Sequence, residues 1–201
     1  MLIRFVLASL LAGLALSATA QDTPGALVEA RTKAVVSTLA AQRAEFRADP
    51  AKLSAYVREQ LETLFDREYS ARLVLARHAR SASEAQITAF ADALTENLLR
   101  RYGDALLEVE GDLGVRIRAE TPLRDGKMMR VSSEITRPGQ PSVPIDYLFA
   151  RSADGWRVFD VIVEGVSYVQ TYRAQFDALL RTRTLDEVTR GLVEGTVSVD
   201  E

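Results

Sequence analysis

The sequence predicts an α+β fold, helices first and a curved four-stranded antiparallel sheet after them, then helices again. Three observations carry this. Apolar residues recur with a helical period of 3.6 from Thr23 to about Leu107. After Val109 the period changes to 2. The alternating segments are separated by Asp125-Gly126, Pro138-Gly139 and Asp154-Gly155, dipeptides that reverse the chain tightly and so make neighbouring strands antiparallel. No repeat, low-complexity tract or linker interrupts the pattern, and residues 21–201 are read as one domain.

The first twenty residues are read as a leader. Arg4 gives a positive start, Phe5 to Leu16 is an apolar run, and Ala18-Thr19-Ala20 is the small-x-small pattern of a signal-peptidase site. The run falls short of the roughly 20 residues that span a bilayer. Cleavage before Gln21 is expected to leave an exported, soluble protein, and no cysteine follows the run to carry a lipid anchor.

In the mature chain, Thr23-Pro24 is an N-cap followed by proline at the first helical position. Leu27, Val35, Leu39 and Phe46 form the stripe of a helix that ends at Asp49-Pro50. A second helix carries Leu53, Val57, Leu61 and Leu64, and a third, shorter one runs through Tyr69, Leu73 and Val74. Ser83 with Gln86 three residues on is a capping box, opening a long helix with Ile87, Phe90, Leu94, Leu98 and Tyr102 near one face. The strands are Val115-Ile117-Ala119, Met129-Val131-Ser133-Ile135, Val143-Ile145-Tyr147-Phe149 and Phe159-Val161-Val163. Trp156, Val158 and Ile162 are expected on the opposite face of the last strand, so that both its faces are covered. Gly165 ends the sheet, and two helices follow around Val169, Tyr172 and Phe176 and around Leu185, Val188 and Leu192. Helices over one face of a curved sheet can enclose a cone-like apolar pocket.

Composition narrows the chemistry. The 201 residues include no cysteine and one histidine and carry a formal net charge of −3. Disulfides, cysteine nucleophiles and multi-histidine metal sites are excluded, and the acidic balance argues against nucleic-acid binding. No metal or cofactor is expected. His78, between Arg77 and Arg80, reads as a helix-end residue bonding terminal carbonyls rather than a catalytic one. Asp146, Asp160 and Glu164 lie on or beside strands and could pair as an acid and base; sheet-face or rim positions are the plainer reading. No P-loop, G-x-G-x-x-G or G-x-S-x-G pattern occurs.

The stretch from Trp156 to Phe176, with Asp160-Val161-Ile162-Val163-Glu164-Gly165-Val166-Ser167 at its centre, resembles the signature of the MlaC family of periplasmic phospholipid-binding proteins, also called the toluene-tolerance family. Leu73-Val74-Leu75-Ala76-Arg77-His78-Ala79-Arg80-Ser81-Ala82-Ser83 is similar to the family's V-L-G-x-[YH]-[WY]-[RK]-x-[AL]-[ST] block. Ala76 stands where the family usually has glycine and Ala79 where it has a large aromatic, which should change local packing of the third helix. Pro144 and Ile87 stand where some members carry basic residues.

The resemblance implies an NTF2-like sheet and helices around a deep apolar pocket, non-enzymatic, binding a diacyl phospholipid by its tails. It implies a soluble, monomeric shuttle between the outer and inner membranes that maintains outer-membrane lipid asymmetry. The implied partners are the MlaA–porin complex and the MlaD ring of the MlaFEDB ABC transporter. The expected lining is Phe90, Leu94 and Leu98 from the long helix, Tyr147, Phe149, Val161 and Val163 from the sheet, and Val166, Val169 and Tyr172 after it. Tyr168, Tyr172 and Arg173 are expected near the mouth, Arg173 meeting a lipid phosphate or a partner carboxylate; the plainer reading, that Arg173 caps a nearby strand or pairs with Glu164, stays open. Two rivals remain at this point: an NTF2-like enzyme with Asp146 or Asp160 as general base, and a lipid-free periplasmic adaptor.

Overall fold

The computed structural model describes residues 23–107, 113–137 and 139–197; the expected leader lies outside them. The element order is α1 (Pro24–Ala41), α2 (Arg43–Ala48), α3 (Pro50–Leu64), α4 (Arg67–Leu75), a 3-10 turn (Ala76–Arg80), α5 (Glu84–Tyr102), a second 3-10 turn (Asp104–Leu107), β1 (Gly114–Leu123), β2 (Met128–Arg137), β3 (Gln140–Ser152), β4 (Gly155–Val163), β5 (Val166–Ser167), α6 (Tyr168–Leu179) and α7 (Leu185–Glu194).

The N-terminal signals act locally as their chemistry requires. The Thr23 side chain accepts from the Ala26 amide with Pro24 at N1, Asp49 does the same for Ala51, and the Ser83–Gln86 capping box is complete. The first predicted helix is two, broken at Gln42, though Leu39 of α1 and Phe46 of α2 still share one buried cluster.

The sheet is an antiparallel meander in the order β1-β2-β3-β4-β5. It has five strands rather than four, because Glu164-Gly165 makes a two-residue hairpin turn and Val166–Ser167 pairs back on Ile162 and Val163. Both turn residues have positive φ, 50° and 86°, the mirror-image geometry that suits the twist of a hairpin.

One departure from simple alternation matters. On β4 the register slips between Leu148 and Phe149, so that Phe149 faces Val158 while Leu148 faces Asp160, and Phe159 is the extra, bulged residue. The bulge moves Val158 and Trp156 onto the same face as Phe149, Tyr147 and Val161. Both faces of the strand are covered, as expected, but Trp156 and Val158 share the α1 core with Val161 rather than lying opposite it, while Phe159 and Asp160 are buried toward α4 and α6. The main-chain groups freed at the bulge are satisfied from the α3–α4 junction, where the Asp66 amide donates to Val158 O (2.8 Å) and the Ser70 hydroxyl to Phe159 O (2.8 Å).

Among the described residues, apolar burial falls into three clusters. Helices α4 to α7 enclose Val74, Leu75, Ile87, Phe90, Phe176, Val188 and Leu192, with Phe90 and Phe176 edge to face at 4.9 Å. Val28 of α1 packs on Val131, Phe149 and Val158 of the sheet. Leu39, Phe46, Leu53 and Leu107 join α1, α2, α3 and the second 3-10 turn, with Phe46 stacked on Tyr56.

Candidate functional site

Between the α4–α7 core and β4 lies a cavity of about 550 Å³. Helix α3 and the residue after it contribute Leu61 and Phe65, and α4 contributes Ser70, Ala71 and Val74. From α5 come Ala91, Leu94, Thr95, Leu98, Leu99 and Tyr102, with Gly103 and Leu106 just beyond. Phe159, Asp160 and Val161 of β4 and Tyr168, Val169 and Tyr172 of α6 close the remaining side. Four of the lining positions on α4 and α5 are small, Ser70 and Ala71 on the one and Ala91 and Thr95 on the other, and leucines there would take up part of the space.

The polar groups on this wall are mostly committed. Asp160 is buried, and both of its carboxylate oxygens are used at the start of α6: Ser167 Oγ donates to Oδ2 (2.6 Å) and the Val169 amide to Oδ1 (3.1 Å). A carboxylate there satisfies orphan donors and opposes the positive end of the helix dipole. Thr95 Oγ1 donates back to Ala91 O. Arg67 is the one cation among the described lining residues, with its Nη1 donating to Asp92 at 2.7 Å.

Of the expected lining residues, Leu94, Leu98, Val161, Val169 and Tyr172 stand on the wall. Tyr168, expected at the mouth, also lines it, half-buried and 5.7 Å from the Tyr172 ring. The others are elsewhere. Phe90 is fully buried against Phe176, because the stripe of α5 turns toward α6 and α7 at that level. Tyr147 and Phe149 pack in the α1–sheet core; burial there pushes the Tyr147 hydroxyl pKa up. Val163 ends β4 beside the hairpin turn, and Val166, 58% exposed, sits past that turn, away from the wall. Arg173 donates from Nε to Leu73 O at 2.8 Å, satisfying one of the last carbonyls of α4 and clamping α4 to α6, and is not among the lining residues.

The other candidate chemical groups do not converge. Asp146 lies on the sheet face opposite Tyr147 and pairs with Arg130. Partial burial raises its pKa, but hydrogen bonds from Arg130 and Ser132 and the Arg130 charge outweigh that and hold it below the usual carboxylate range. Glu164 occupies the hairpin turn with φ 50°. His78 reaches Asp177 on α6 at 2.9 Å rather than a helix carbonyl, and Arg77 and Arg181 converge on the same carboxylate.

The residues that sequence reasoning missed are chiefly the small ones, Ser70, Ala71, Ala91 and Thr95, together with Phe65 and Phe159 at the bulge. The available signal was the run of small side chains on two amphipathic stripes. A search for large apolar residues passes over them.

Comparison with known proteins gives a consistent result. The MlaC protein family matches residues 29–194. The chain is 26% identical over 185 residues to the toluene tolerance protein Ttg2D of Pseudomonas putida, covering 90% of this chain and 85% of that protein. Its fold is similar, with a TM-score of 0.76, to a phospholipid-binding protein from Ralstonia solanacearum solved in complex with a phospholipid, at 22% identity and covering 85% of this chain and 94% of that one. The family match begins within α1 and ends on the last residue of α7, so it takes in every element that walls the cavity. This chain belongs to the MlaC family.

Proposed function

We propose that the protein is a carrier, not an enzyme, that holds a diacyl phospholipid by its acyl chains and moves it through the periplasm between the outer and inner membranes. The observation that carries this is the apolar cavity of about 550 Å³ walled by four helices and β4. Two 16-carbon chains hold about 28 methylenes, whose exposure to water costs about 20 kcal/mol at ~0.8 kcal/mol each. A shuttle must hide most of that surface. The cavity falls inside the ~300–1,000 Å³ range of ligand sites and below the ~800 Å³ that two such chains fill. The chain ends nearest the headgroup then lie across the mouth, between partly exposed Leu61, Leu98 and Leu106.

Catalysis finds no support at this wall, since the buried carboxylate on it has both oxygens engaged at a helix start. The protein is exported with cleavage before Gln21 and acts as a monomer. It exchanges cargo with the MlaA–porin complex on one side and the MlaD ring of the MlaFEDB transporter on the other, preserving outer-membrane asymmetry. Escape of such a ligand through open water is too slow for a shuttle, so transfer proceeds mouth to conduit. The test is transfer of a labelled phospholipid from loaded protein to acceptor vesicles. Transfer should be slow with vesicles alone and fast once the MlaD ring is added; equal rates would overturn partner-gated release.

A further inference from the structure

Arg67 opens α4 at the edge of the cavity, bracketed by carboxylates from two other helices. Nη1 donates to Asp92 Oδ1 of α5 at 2.7 Å, and Nη2 stands 3.6 Å from Glu62 Oε1 of α3. The second contact is an ion pair beyond hydrogen-bond reach, and no described residue accepts from Nη2. The Asp92 and Glu62 side chains are 54% and 49% exposed while Arg67 is 27% exposed, so the three charges stand where the apolar wall meets water. A lipid whose chains enter the cavity past this edge would bring its headgroup against all three charges. Arg67 is not accompanied by a second cation among the described lining residues, and the array carries one positive and two negative charges.

Resting on the carrier reading above, we propose that this rim selects a phosphoethanolamine headgroup over a phosphoglycerol one. Arg67 takes the phosphodiester through the Nη2 donor, since a guanidinium offers its N–H groups as a fork to paired phosphate oxygens. The ethanolamine ammonium, two carbons beyond the phosphodiester oxygen, meets Glu62 or Asp92. A glycerol headgroup brings the same phosphate charge and no cation, leaving both carboxylates facing an added anion.

Vesicles of phosphatidylethanolamine and phosphatidylglycerol in equal amounts, with identical acyl chains, test this. Purified protein is incubated with them, separated, and its bound lipids are quantified. The bound fraction should be enriched in phosphatidylethanolamine about two- to fivefold, the scale of one exposed ion pair. Enrichment should fall toward unity in the Glu62→Gln, Asp92→Asn double variant, and at 0.5 M salt. It should persist in Asp154→Asn, which removes a carboxylate from the exposed β3–β4 turn. Bound lipid at the vesicle ratio in the wild type overturns the headgroup selection and leaves the carrier reading standing. Uptake of neither lipid overturns both. Glycerophosphoethanolamine alone should show no saturable binding; if it binds, the rim serves the free headgroup and the proposal fails.

Discussion

Ala76 follows the last residue of α4 with φ 50° and ψ −114°, a backbone state that a side chain resists and glycine accepts. It is exposed, so its methyl group has little packing to lose. Ala76→Gly should therefore stabilise the protein by about 1 kcal/mol, seen as a higher urea midpoint with an unchanged slope. A lower midpoint would show that chain entropy outweighs strain there. The nearby Asp177 offers a second check. A hydrogen bond from His78, then one from Arg181, and the charges of Arg77 and Arg181 hold its carboxyl below the usual range. Such a group binds fewer protons folded than unfolded, so its contribution is complete above about pH 4 and is lost as pH falls through the lowered native value. Asp177→Asn should lower the melting temperature at pH 6, with the gap to wild type closing in acid; a constant gap would assign the loss to packing. At Val166, exposure decides the outcome: Val166→Glu should change stability by no more than about 0.5 kcal/mol and leave lipid content unaltered. Reduced lipid content would put that side chain back at the cavity.

Helix α7 shows how an element is held by one side chain from another. Its start has the Thr184–Glu187 capping box and its end has Gly195 at φ 73°. Past that end the chain folds back, with the amides of Thr196 and Val197 donating to Gly191 O. A Cβ on Gly191 would meet Val197 Cγ2 at 2.6 Å, so the close approach requires glycine. Buried Asn97 on α5 donates to Leu192 O and Val197 O, both at 3.1 Å. Asn97→Ala takes from Val197 O its side-chain donor, while Leu192 O keeps Arg100 and the Gly195 amide, and should cost about 1 kcal/mol, measured by urea unfolding; no measurable loss would mean that water replaces the amide. Signals of this local kind were legible in the sequence: caps at Thr23, Asp49 and Ser83, the change of period after Val109, and the turns. The bulge at Phe159 was not, because it depends on where β3 pairs and on the donors of Asp66 and Ser70, distant in the chain. That single slip put Trp156 and Val158 on the wrong face. Tyr147 and Phe149 were similarly placed on the correct sheet face but assigned to the cavity, since nothing local shows that α1 packs onto that face.

At the scale of the whole molecule, three apolar clusters pack separately and the cavity is the gap between the largest of them and the sheet. Filling the gap should separate binding from folding. Leu98→Trp adds bulk at a partly buried wall position with space beside it, so stability should hold within about 1 kcal/mol, less than overpacking costs in a closed core, while lipid content falls. Unfolding of this variant would show that the position belongs to the packed core. Whether this cavity carries a phospholipid can be read from native mass spectrometry of protein purified from its own host without detergent. A folded protein with an added mass that dissociates as a diacyl phospholipid is expected, with none retained after solvent denaturation. The bare polypeptide mass alone, in a preparation that unfolds cooperatively, would contradict it.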